Sequence, residues 1–146
     1  KGEMKDWRNE MQVLPIGKGK KLRDGDDIAV LSIGPIGNEV IKAIEMVKEA
    51  GVSIAHYDMI YLKPLDEELL HEIGQKYNRI ITVENGVIKG GFGSAVLEFM
   101  ADNGYTPHVK RIGVPDAFIE HGSIPELYQL CGMDAESIAK QLKKEN

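Results

Sequence analysis

The chain has 146 residues, 42% hydrophobic and 28% charged, with a formal net charge of −5. This is enough for one domain with a proper core and too little for two comfortable ones. The acidic balance argues against a broad nucleic-acid surface, which needs concentrated Lys and Arg, and no apolar run is long enough to cross a bilayer, so neither nucleic acid nor membrane is an expected partner.

Residues 1–12 are polar, contain Trp7 and read as an irregular lead-in from a missing upstream domain; residues 13–146 read as one domain. Val13 to Leu22 alternates weakly and carries Lys18, Lys20 and Lys21, which suits a sheet edge where lysines discourage pairing with another chain. Arg23-Asp24-Gly25-Asp26 supplies an Asp-Gly turn, so the first strand is expected to form a hairpin with the next. Ile28 to Ile33 is almost continuously apolar, the mark of a central strand covered on both faces. A helix follows to about Ala50, with Ile36, Val40, Ile41, Ile44 and Val47 as its inward stripe and Gly51 as a left-handed cap.

Val52 to Tyr57 is the third predicted strand, Asp58 to Pro64 a loop, and Asp66 to Tyr77 a helix with acidic residues in its first turn, where they complement the helix dipole. Arg79 to Val83 is the fourth strand, Gly91 to Asp102 a helix, and Val109 to Val114 a fifth strand at the other edge. Ser123 and Glu126 have capping-box spacing for a short helix to Cys131, and a last helix covers about Asp134 to Lys143. Cys131, the single cysteine, allows no internal disulfide and reads as a small buried residue. The element order predicts an α/β fold, a three-layer α/β/α domain with a five-stranded mixed sheet of four parallel strands and one antiparallel edge strand.

Ligands of open α/β sheets sit beyond the carboxyl ends of the parallel strands, which singles out the loops Gly34–Asn38, Asp58–Pro64, Glu84–Gly91 and Pro115–Gly122. Gly90, Gly91 and Gly93 precede a helix start, Gly90 to Ser94, that could hold a small anion. Close helix–strand approach explains the same glycines, and spacing favours it. A dinucleotide fingerprint belongs on the first βα turn, and no phosphate-loop Gly-Lys-Ser/Thr is present. Glu84 and Asn85, with Asp116, Glu120 and His121 on the neighbouring loop, form a conceivable carboxylate–imidazole set that serves equally as interface contacts.

Three stretches carry a family resemblance: Tyr61 to Asp66, Thr82 to Ser94 and Arg111 to Gly122. They closely resemble the C-terminal domain of the 1-deoxy-D-xylulose-5-phosphate synthases, and Leu14 to Gly19 resembles that domain's opening segment. The likeness runs through nearly all of residues 13–142. It implies a transketolase C-terminal domain-like fold and a full-length transferase that uses thiamine diphosphate and magnesium. Such an enzyme joins pyruvate, with loss of CO2, to glyceraldehyde 3-phosphate, feeding isoprenoid, thiamine and pyridoxal synthesis. The resemblance also implies a homodimer located in the cytoplasm, or in a plastid for a plant source.

The family holds its cofactor in two upstream domains, and none of their motifs occurs here. No catalytic, cofactor-binding or metal residue is therefore expected in this chain, which should be catalytically silent alone, and its partners should be the upstream domains. Glu84, Asn85, Gly90, Gly91, Gly93, Asp116, Glu120 and His121 become family-motif loops aimed at an interface or an active-site wall. The family also carries an Arg-Tyr-Pro-Arg-Gly segment whose second Arg helps bind substrate phosphate; Lys1 either replaces that Arg or follows it. The rival reading is a free-standing, non-enzymatic α/β module that binds a small anion at the Gly90–Ser94 helix start.

Overall fold

A computed structural model describes residues 13–143, so the expected lead-in over residues 1–12 lies outside the described residues. The sheet is built on β2 (Ile28–Ile33), whose first five residues are buried. On its two sides run β3 (Ile54–Asp58) and β4 (Arg79–Val87), both parallel to it. β5 (His108–Val114) pairs in parallel with β4, and β1 (Lys20–Arg23) pairs antiparallel with β3, giving the order β1-β3-β2-β4-β5. The apolar β2 is thus the central strand, and the lysine-bearing β1 is the antiparallel edge.

Successive β2 residues feed opposite cores, as a pleated strand requires. Val30 packs with Ile81, Val83, Val40 and Ile44 beneath α1 (Gly37–Met46), and Ile138 and Leu142 of α5 (Ala135–Leu142) join the same cluster. Leu31 packs on the other face with Ile80, with Leu70 and Ile73 of α2 (Glu67–Lys76), and with Phe92 and Val96 of α3 (Phe92–Asp102). The short α4 (Ile124–Leu130) lays Tyr128 against the first cluster. The result is the three-layer α/β/α arrangement.

The predicted hairpin between the first two strands does not form, because β3 lies between them. Asp24-Gly25 carries the chain across the start of β3 instead. The amides of Asp26, Asp27 and Ile28 all donate to the Ser53 carbonyl, at 3.2, 2.8 and 3.3 Å. A Cβ on Gly25 would stand 2.6 Å from the Ile54 carbonyl oxygen, so glycine serves a backbone crossing here rather than a tight turn. The Tyr77 hydroxyl fixes the crossing by donating to the Gly25 carbonyl at 2.7 Å.

Two further boundaries differ. α1 ends at Met46 and is followed by a 3-10 turn, Lys48–Ala50, which Gly51 closes at φ 69°. Ile41, expected on the inward stripe, is 47% exposed, because Ile36, Val40, Ile44 and Val47 already fill the buried face. At the opposite end of the sheet Asp66 joins two elements: Oδ1 accepts from the Leu69 amide at 3.1 Å, capping α2, and Oδ2 accepts from the Gly19 amide at 2.9 Å. That bond holds the segment before β1 against the carboxyl end of β3. His56 is a core residue whose Nε2 lies 2.8 Å from the Ser32 hydroxyl. Burial pushes its pKa down to about 4, against the opposing pull of Asp58, so the ring is neutral near pH 7 and carries no charge into the sheet.

Candidate functional site

β4 continues past the predicted end at Val83, through Glu84, Asn85 and Gly86 to Val87, where it pairs again with Val114 after an irregularity in the ladder. Alternation along the strand then decides where each side chain points. Ile80 faces the α2–α3 layer, so Thr82 and Glu84 share that face, while Asn85 takes the other. Glu84 is only 4% exposed. Its Oε2 accepts from the Phe92 amide at 2.8 Å and its Oε1 from the Gly93 amide at 2.9 Å. The carboxylate therefore sits at the N-terminus of α3, where orphan N–H groups and the helix dipole favour negative charge.

This arrangement corrects one expectation and tells against the rival reading. The sequence aims Glu84 at a neighbouring domain or subunit, yet its carboxylate is turned inward and fully engaged. The helix start from Gly90 to Ser94 invites a small anion, yet the chain's own groups hold its donors. Phe92 and Gly93 donate to Glu84, the Ser94 and Ala95 amides both donate to the Gly91 carbonyl, and the Gly90 amide donates to Ser94 Oγ at 3.0 Å. The place an anion would occupy is filled by Glu84.

The glycines are explained by the same geometry. A Cβ on Gly91 would fall far inside contact distance of Glu84 Oε2 and the Val87 carbonyl, and 2.8 Å from Glu84 Cδ. On Gly93 it would meet Thr82 Oγ1 at 2.5 Å and Arg111 Cγ at 2.9 Å. Only Gly90, at φ 72°, is needed for its backbone freedom. A latch closes the loop: Arg111 Nη1 donates to the Ile88 carbonyl and to Ser94 Oγ, both at 2.8 Å. The sequence places Arg111 in the edge strand and at the head of a resemblance stretch, with no partner indicated. The Arg111–Ser94 link joins β5 to α3, which no local pattern announces.

Asn85 is exposed and lines a depression of about 260 Å3 with Ile119, Ile124, Leu127, Tyr128 and Cys131. Cys131 is half-buried there, rather than fully buried. Asp116 is exposed and pairs with Lys89 at 3.0 Å across the two loops, while Glu120 and His121 are exposed on the β5–α4 loop. The structure does not bring Glu84 together with Glu120 and His121, because Glu84 is engaged on the opposite layer. Among the described residues no group of three His, Cys, Asp or Glu is placed to hold a metal ion. With the α3 start occupied as well, the described residues do not fit thiamine diphosphate and its magnesium.

Residues 17–138 match the family described as transketolase, C-terminal domain. The chain is 99% identical over 146 residues to 1-deoxy-D-xylulose-5-phosphate synthase of Parabacteroides distasonis, covering 100% of this chain and 23% of that protein. Against the enzyme of the same name from Azobacteroides pseudotrichonymphae it is 60% identical over 144 residues, covering 99% and 23%. Among solved structures, a split-gene transketolase described as an inactive beta4 tetramer superposes with a TM-score of 0.79 at 30% identity, over 90% of this chain and 45% of that one. Transketolase from Campylobacter jejuni shares the fold, with a TM-score of 0.62 at 13% identity over 86% of this chain and 18% of that one. The chain thus spans 23% of the length of these curated relatives. With most of its length matched and the same α/β/α sheet in those neighbours, the chain belongs to the transketolase C-terminal domain family.

Proposed function

We propose that the chain is the C-terminal domain of a 1-deoxy-D-xylulose-5-phosphate synthase and that its own part in the enzyme is structural. In this reading the full-length polypeptide condenses pyruvate with glyceraldehyde 3-phosphate and releases CO2 in the cytoplasm. Thiamine diphosphate and magnesium belong to the preceding domains, and the enzyme works as a homodimer. This chain stabilises the assembly, contributes contacts, and stands as a wall near the active-site entrance through Asn85, Asp116, Glu120 and His121. One observation carries the reading of its role: the Glu84 carboxylate occupies the α3 N-terminus, so the most inviting anion position in the domain is closed from within.

The test is an assay of 1-deoxy-D-xylulose 5-phosphate formation with thiamine diphosphate and magnesium supplied. Full-length protein should form the product, and residues 1–146 alone should form none above the buffer rate. Product from the isolated chain would contradict the structural role; none from the full-length protein would contradict the assigned reaction.

A further inference from the structure

Among the described residues, eleven large apolar side chains are exposed, and they are unevenly spread. Leu22, Ile41 and Met46 lie on β1 and α1, and Leu130 borders a depression along the β5 edge. The other seven gather where the parallel strands end. Val87 closes β4, Leu62 follows β3, and Phe118 and Ile124 follow β5. Val13, Leu14 and Ile16 precede β1, whose Lys20 pairs with Asp58 at the last position of β3. Single exposed apolar residues are ordinary, whereas a set of them on one face marks an interaction surface.

Phe118 is as exposed as in an extended peptide, and it borders a depression of about 310 Å3 shared with Val87, Pro115 and Ala117. Next to it lies the Asn85–Tyr128 depression. Two ion pairs lie at this end, Lys89 with Asp116 and Lys18 with Glu68. An apolar centre with a polar, charge-balanced rim is the anatomy of a protein interface.

We propose that this end of the sheet is the surface on which the preceding domains of the full-length polypeptide dock, with Phe118 and Ile124 as apolar anchors. The proposal rests on the functional reading above. Two observations select this occupant. The chain covers 23% of its curated relatives' length, leaving the greater part of the polypeptide to be placed around it. Residues 13–16, through which preceding chain is delivered, lie at this same end, held there by the bond from the Gly19 amide to Asp66. A second copy seated here would have to accommodate the incoming segments of both chains within one contact, which disfavours it.

The test uses full-length protein carrying Phe118→Cys or, as a control on α1, Ile41→Cys, with maleimide labelling followed at each site by peptide mass spectrometry. Both positions are exposed in this domain, so protection at only one must come from outside it. The cysteine introduced by Ile41→Cys should label readily and the one introduced by Phe118→Cys at least tenfold more slowly, at every protein concentration. Equal rates would overturn the proposal. Protection at 118 that disappears on dilution would also overturn it, assigning the face to a second copy. In the unsubstituted protein, amide hydrogen exchange across residues 115–122 should be at least tenfold slower than in a free peptide, and peptide-like exchange there would refute docking without reliance on any variant. Labelling rates do not depend on turnover, so their failure is separable from failure of the assigned reaction.

Discussion

Glu84→Ala is expected to destabilise the domain by about 3 kcal/mol, since each buried donor left without a partner costs roughly 1–3 kcal/mol. Two donors are orphaned at once, the amides of Phe92 and Gly93, in a position where the residue is 4% exposed and water has little access. The substitution also removes an anion from the positive end of α3. Glu84→Gln keeps the length and one carbonyl oxygen, but its amide nitrogen must face one of the two N–H donors. A smaller loss, about 1–2 kcal/mol, follows for it. Denaturant unfolding measures both as a shift in midpoint at constant slope. A loss below about 1 kcal/mol for Glu84→Ala would mean that α3 is not fastened through this carboxylate.

Gly91→Ala is expected to cost a further large amount, roughly 2–4 kcal/mol, by overpacking rather than by backbone strain. Gly91 has φ −88° and ψ −161°, an extended conformation open to alanine, so the conformation itself is no obstacle. The obstacle is what the new methyl meets: Glu84 Oε2 on one side and the Val87 carbonyl on the other. The contrast with its neighbour sharpens the point. Gly90 has φ 72°, and a Cβ added there would meet nothing within 4 Å, so Gly90→Ala costs only the left-handed penalty of roughly 1–2 kcal/mol. Because one half of the Gly91 clash is the Glu84 side chain, the double substitution Glu84→Ala with Gly91→Ala should cost less than the two single losses added together. Additive losses in the unfolding experiment would show that the methyl group and Glu84 do not compete for the same space.

The central architecture was legible because its signals are local. The almost continuous apolar run of Ile28–Ile33 announced a strand buried on both faces, and the acidic first turn of the Asp66 to Tyr77 segment announced α2. The Ser123–Glu126 spacing announced α4, where the Glu126 carboxylate accepts from the Ser123 amide at 2.9 Å. What escaped depends on partners distant in sequence. Asp24-Gly25 has the same turn chemistry whether the chain folds back on itself or crosses another strand, and only the placement of β3 decides. The tail of β4 is polar and glycine-bearing, with weak strand propensity, and becomes strand through its pairing with β5.

The site was half legible. The Gly90–Ser94 helix start was singled out as the anion position of the rival reading, and in the structure the carboxylate that sits there is the chain's own Glu84. Period-two alternation from Ile80 through Thr82 to Glu84 carried the missing signal, since it sets the carboxylate on the face that α3 covers. Ending the predicted strand at Val83 hid that signal. The exposed positions Asp116, Glu120 and His121 were recognisable as loop residues beyond the carboxyl ends of the parallel strands, whereas Asn85 lies within β4, and the apolar company of Phe118 and Ile124 emerged only when the loops were assembled.

This domain closes its own anion position, and in the proposed reading cofactor binding belongs to the rest of the polypeptide. Isothermal titration of thiamine diphosphate with magnesium into residues 1–146, first shown to unfold cooperatively, tests that claim most directly. No saturable heat is predicted, and micromolar binding would contradict it.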